Sequence, residues 1–132
     1  IGGKLADPLS PVLCITGDGS YLMNAQEISV AQQRGLNVVF LVLNNGVLGT
    51  VMHGQRMRGL ENTANELPAT DFALMAQAMG IESYRIGSLD ELDALGVESL
   101  LSRNGPVLLD MLVDAEIAPP IGQRVRNLQG PA

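Results

Sequence analysis

The chain has 132 residues, 46% of them hydrophobic and 17% charged, which fits one ordinary domain with a real core, falls short of two, and argues against disorder. Fourteen acidic against eight basic residues leave a net charge of −6; eleven of the acids lie between Glu61 and Glu116, opposed there only by Arg85 and Arg103, so the surface repels phosphate backbones, and four aromatics without Trp give bases little to stack on. The longest apolar run, Val38 to Leu43, is six residues against the roughly 20 that a spanning helix requires, so neither nucleic acid nor membrane is an expected partner.

The chain opens with Ile1 rather than Met and shows no charged segment followed by an apolar core and cleavage site, which suggests a part excised from a longer protein and no secretory signal. Val12–Ile15 reads as a first buried strand. It carries the single Cys14, expected to be a buried, inert thiol in a reducing compartment. Thr16-Gly17-Asp18-Gly19-Ser20 follows as a glycine-rich turn. Asn24, with Glu27 three residues on, reads as a capping box for a helix near 25–34, and Gly35 reads as its stop. Val38–Leu43 is the second strand, and Asn44-Asn45-Gly46 stands directly after it. The interval Gly54 to Pro68 has mixed charge and no period, which predicts a long mobile loop.

Asp71 caps another predicted helix with Phe72, Met75 and Met79 on one face and Gly80 as its stop. A weaker strand, Ser83–Ile86, is followed by a second capping pattern, Ser88 with Glu91, opening a helix through about Ser102 that ends at Asn104–Gly105. Val107–Leu112 is the last strand. Beyond Ala118, Pro119, Pro120, Gly122, Gly130 and Pro131 read as a tail, giving a domain over 1–118 and a tail over 119–132. Strands alternating with helices of these lengths predict an α/β fold, a three-layer αβα arrangement around an open, doubly wound, mostly parallel sheet.

In such sheets ligands bind at the carboxyl ends of strands, and two of these ends carry unusual polar residues. Two glycines flanking Asp18 let the backbone turn sharply and approach a ligand, and the amides of Gly19 and Ser20 can face an anion. If the first two strands are parallel neighbours, Asp18 and Asn45 share one crevice, an all-oxygen donor pair suited to a hard cation such as Mg²⁺ that keeps phosphate oxygens in its shell. Gly-Asp-Gly and Asn-Asn-Gly are each common as turns, and their placement after consecutive strands is what makes the pair informative. No Walker sequence and no Gly-x-Gly-x-x-Gly fingerprint is present.

Gly17-Asp18-Gly19, twenty-four residues, then Asn44-Asn45 resembles the thiamine-diphosphate motif of the pyruvate-oxidase and acetohydroxyacid (acetolactate) synthase group. The segments Gly17–Asn24, Leu41–Gly49 and Gly105–Asp110 carry the same resemblance, which covers nearly the whole chain. It implies the carboxyl-terminal, diphosphate-binding domain of a larger thiamine-diphosphate-dependent enzyme acting on 2-oxo acids by decarboxylation or carboligation. It further implies Asp18, Asn45 and the main-chain carbonyl of Val47 as Mg²⁺ ligands, with Gly17, Gly19, Ser20 and Gly49 beside the cofactor. The expected partners are a pyrimidine-binding and a middle domain of the same polypeptide, a second copy in a homodimer or homotetramer, and a small 2-oxo acid in the cytoplasm. In that group the Glu that assists cofactor activation belongs to the pyrimidine-binding domain, so no catalytic residue is assigned here and the isolated chain is expected to be inactive. Where some relatives carry an aromatic residue that shapes the acceptor channel, this chain has Gly54, which leaves the acceptor open. A noncatalytic regulatory or assembly module of the same fold and a flavodoxin-like phosphate binder are the alternatives. His53, without a nearby partner carboxylate in sequence, is expected in a surface or supporting role, and Met52, Met57, Met75 and Met79 in packing.

Overall fold

The computed structural model describes residues 1–117. The boundary at 118 and the tail expected over 119–132 lie outside the described residues. Four strands, β1 (Leu13–Gly17), β2 (Val39–Asn44), β3 (Glu82–Ile86) and β4 (Val107–Leu112), form one sheet in the order β1-β2-β4-β3. Every pairing is parallel, so all four carboxyl ends open on the same side. Successive strand residues face opposite sides. Phe40, Val42 and Leu108 therefore pack on one face with Ile28, Ala31, Phe72 and Ala76, while Val39, Val107 and Leu109 pack on the other with Leu100 and the partly buried Leu92 and Leu95. Helices on both faces of a parallel sheet give the expected three-layer α/β architecture.

Helix α1 (Gly2–Ala6) precedes β1. The helix expected near 25–34 begins earlier. Asp18 heads α2 (Asp18–Asn24), a 3₁₀ turn spans Ala25–Glu27, and α3 (Ile28–Gln33) follows. Asn24 makes no side-chain cap bond, because the chain is already helical when it reaches Asn24 and only kinks there, at φ −140°. Gly35, at φ +59°, does close α3, and the amide of Leu36 donates to Ala31 O, the bonding pattern of a left-handed helix stop.

The first four residues of the expected loop, 54–57, are helical. α4 (Gly49–Met57) runs into it, and the remainder is pinned: Leu48 N donates to Asn65 O at 2.7 Å, Leu67 N donates to Gly46 O at 2.9 Å, and Gln55 holds both Thr63 and the buried Asn65. Asp71 caps α5 (Phe72–Ala78) by accepting from Leu74 N at 2.8 Å, and Gly80, at φ +73°, follows as its stop. Ser88 caps α6 (Leu89–Leu95) by accepting from Glu91 N, while the Glu91 carboxylate accepts from Gly87 N. The helix expected to reach Ser102 breaks at Gly96, whose left-handed φ of +63° ends α6 before α7 (Val97–Leu101) starts. Cys14 is exposed rather than buried. β1 lies at the sheet edge with β2 as its only strand partner among the described residues, and Leu13 and Ile15 beside Cys14 are exposed as well.

Candidate functional site

β1 and β2 pair with Gly17 opposite Leu43, so the chain leaves both strands at the same level and Asp18 meets the turn that follows Asn44. Asp18 is 5% exposed. One carboxylate oxygen, Oδ2, accepts from the amides of Asn45 at 3.0 Å and Gly46 at 2.7 Å. The other, Oδ1, accepts from Gly19 N at 2.7 Å. Three backbone N–H groups thus converge on one buried carboxylate, an arrangement that stabilises negative charge there. Asn45 turns its own Oδ1 to the amide of Val47 at 3.2 Å, and Val47 O accepts from Gly49 N at 2.9 Å.

An open cavity of about 610 Å³ lies over this junction. Gly17, Asp18, Gly19, Ser20, Asn45, Val47 and Gly49 all line it, so the seven residues singled out in the sequence meet in one place. Its floor is tight. A Cβ on Gly19 would come within 2.8 Å of the Leu48 side chain, and one on Gly49 within 3.2 Å of Asn45 Nδ2, which is why both positions suit glycine. The donors gathered here are a carboxylate, an amide oxygen and a main-chain carbonyl, with no sulfur or imidazole among them. That set fits a hard divalent cation and leaves part of its shell to a ligand's oxygens. Among the described residues no cluster of three His, Cys, Asp or Glu side chains is able to hold a metal, so a cation here depends on amide, carbonyl and ligand oxygens. One expectation needs qualifying: the Gly19 amide already donates to Asp18, so an anion reaching it competes with that bond.

The opposite wall comes from a segment that the sequence reading passed over. Val113, Asp114 and Ile117, after β4, line the cavity together with Leu43, Leu48 and Val51. The signal was available, because Asp114 follows a strand's carboxyl end as Asp18 and Asn45 do. His53 is buried rather than at the surface and hydrogen-bonds through Nε2 to Ala115 O at 3.0 Å. Arg56, one turn later on α4, grips Glu116 with two bonds, of 2.6 and 3.0 Å. The bond to Arg56 holds the Glu116 carboxyl below its usual range. α4 therefore clasps the segment that forms this wall, and His53 supports the cavity without lining it.

The family model described as "Thiamine pyrophosphate enzyme, C-terminal TPP binding domain" matches residues 1–111. The acetolactate synthase large subunit of Haemophilus influenzae is 41% identical over 118 residues, which cover 86% of this chain and 20% of that protein. The mitochondrial acetolactate synthase catalytic subunit of Saccharomyces cerevisiae is 38% identical over 120 residues, 89% of this chain and 17% of that protein. The isozyme 2 large subunit of Escherichia coli is 34% identical over 118 residues, 86% and 21%. The chain spans about a fifth of the length of the curated relatives it matches.

Proposed function

Because the chain belongs to the family of C-terminal TPP-binding domains of thiamine pyrophosphate enzymes, we propose that its cavity holds the diphosphate of thiamine diphosphate through a Mg²⁺ ion. Asp18, Asn45 Oδ1 and the Val47 carbonyl would hold the metal. Gly17, Gly19, Ser20 and Gly49 would lie beside the diphosphate. The observation that carries this reading is the convergence of Gly19, Asn45 and Gly46 amides on Asp18, which joins both halves of the motif at one buried charge.

The charge arithmetic supports a metal. The first turn of α2 already meets a carboxylate of its own, so an incoming diphosphate would face like charge at Asp18 unless a cation stood between them. When bound, thiamine diphosphate supplies a carbon nucleophile and an electron sink that no side chain offers. This chain's residues would bind and orient it: Asp18 and Asn45 would fix its charged end, and Leu43, Leu48, Val51 and Ile117 would offer apolar surface to the rest of it.

The same reading extends to the longer protein, with the sequence's division into a domain over 1–118 and a tail over 119–132 kept as its frame. That protein would decarboxylate a 2-oxo acid and transfer the fragment, as an acetolactate-synthase-like lyase or transferase in the cytoplasm. Its pyrimidine-binding and middle domains would complete the site, and copies would pair as a homodimer or homotetramer. No described helix is long and apolar enough to cross a membrane. A noncatalytic module of the same fold is the alternative, and the intact Asp18 and Asn45 favour the binding reading over it.

Calorimetric titration of the chain with thiamine diphosphate, in Mg²⁺ and in excess chelator, tests the proposal. Binding should need the metal, and Asp18→Ala should weaken it at least about tenfold, the loss expected when a charged ligand is removed. Equal affinity in chelator, or an Asp18→Ala variant that binds as tightly as the parent, sinks it.

A further inference from the structure

Asp110, in the middle of β4, is completely buried, and nothing in the binding reading uses it. A carboxylate taken out of water is costly unless every oxygen finds a donor. Here each does. Oδ1 accepts from Asn44 Nδ2 at 2.9 Å. Oδ2 accepts from the amide of Phe72, at the start of α5, at 3.1 Å, with Arg85 Nε at 3.9 Å. An amide at this position has one oxygen for two donors, so Asn could not serve Asn44 and Phe72 in the same geometry. The carboxylate therefore ties three elements together: β4, the end of β2 and the first turn of α5.

Its partner Asn44 stands one residue before Asn45. Besides the bond to Asp110, the Asn44 amide donates to Thr70 O at 3.1 Å, and its main-chain oxygen accepts from Val113 N at 3.0 Å. Asn44 is thus fixed on three sides at the point where the chain turns to bring the Asn45 and Gly46 amides onto Asp18. We propose that Asp110 is a positioning residue for this site: acting through Asn44, it fixes the exit of β2 so that the Asn45–Gly46 main chain stays seated on Asp18. Its consequence for ligand affinity rests on the reading of the cavity as a Mg²⁺ and diphosphate site. Its consequence for the empty protein does not.

Two measurements on the full 132-residue chain separate these consequences. The first is amide hydrogen exchange at Asn45 and Gly46 without ligand, and the second is calorimetric affinity for thiamine diphosphate in Mg²⁺. Asp110→Asn should speed exchange at both amides at least about tenfold and weaken binding by 10- to 100-fold, the range seen when a group that orients a metal ligand is removed. Asn44→Ala, which leaves Asp110 bonded to Phe72, provides the same test should Asp110→Asn fold poorly. Because both changes break one path, the double variant should be no worse than the more severe single one. Leu100→Ala, in the cluster on the sheet face under α6 and α7, is the control: it lowers the melting temperature and should leave both amides and the affinity unchanged. Parent-like exchange at Asn45 and Gly46 in Asp110→Asn or Asn44→Ala overturns the proposal, as does equal acceleration in Leu100→Ala. If the parent chain binds no thiamine diphosphate while the exchange effect stands, the functional reading has failed and the positioning role has not.

Discussion

Tyr21 offers a sharp test of the packing argument. Its ring is 6% exposed and meets Phe72 edge to face, with centroids 5.3 Å apart. Its hydroxyl is buried without a hydrogen-bond partner among the described residues. Burial, with a smaller contribution from Cys14, pushes the phenol up to about 12. Tyr21→Phe keeps the ring and its contact and removes only the unpaired hydroxyl. An unsatisfied buried polar group costs about 1–3 kcal/mol, so the variant should be more stable by about 1–2 kcal/mol, which raises the melting temperature by about 3–8 °C in a domain of this size. The alkaline limb adds a second signature. The folded-state value lies above the unfolded value of about 10, so the stability that comes from keeping the phenol neutral is present below about pH 10 and is lost as pH rises through about 12. The parent should lose more stability than Tyr21→Phe across that window, and the gap between them should widen. Thermal melts by circular dichroism at pH 7, with urea midpoints from pH 9 to 11.5, read both effects. An unchanged or lower melting temperature would refute the reasoning, because the hydroxyl would then have a partner that contributes to stability.

Three further outcomes follow from single contacts. Asp71 is held below its usual value first by the amide of Leu74 and then by Arg85; a depressed folded value means stability that is present above about pH 4 and lost as pH falls through the folded value, so Asp71→Asn should flatten the acid limb of a urea-midpoint series. Gly80 sits at φ +73°, and Gly80→Ala should lower stability by about 1 kcal/mol, visible as a melting-temperature drop of a few degrees and absent if the turn re-forms with negative φ. His53→Ala strands the Ala115 carbonyl and should cost about 1 kcal/mol, yet His53 does not line the cavity, so calorimetric affinity for thiamine diphosphate in Mg²⁺ should change less than about threefold; a loss as large as that of Asp18→Ala would move His53 into the binding site.

β1, β2 and β4 were legible because each is a short, mainly apolar run with a polar boundary, whereas β3, with Glu82, Ser83 and Arg85 in it, gave the weaker signal. The left-handed stops at Gly35 and Gly80 were legible because only glycine closes a helix that way at little cost. The helix starts were not uniformly so. Ser88 and Asp71 cap as their spacing predicts, whereas Asn24 carries the same signature inside a chain already helical from Asp18. A capping pattern states that a helix can begin there, and tertiary packing of Tyr21 and Ala25 into the core decided that it began earlier. Gly96 reads as a tolerated interior residue when leucines flank it on both sides, and the break there is fixed by its left-handed backbone. Cys14 was misread for a different reason: an apolar run identifies a strand, and whether that strand lies inside the sheet or at its edge depends on pairings that local pattern does not encode.

The paired asparagines show how far local rules reach into the site. Successive residues of an extended chain present their side chains in opposite directions, and the two amides divide accordingly. Asn44 turns into the protein to Asp110 and Thr70; Asn45 turns into the cavity, where its oxygen meets the amide of Val47. A single asparagine could not anchor the strand end and also present an oxygen to a ligand. A doublet divides the two tasks, with Asn44 anchoring the strand end and Asn45 facing the cavity, so the first asparagine bears on the proposed site although it does not line the cavity. The spacing from Asp18 then follows from topology. One crossover through α2 and α3 brings the chain back to pair with β1 in register, Gly17 opposite Leu43; with the pairing shifted by one, a crossover one residue longer would put Asn44 where Asn45 must be, and one residue shorter would put Gly46 there.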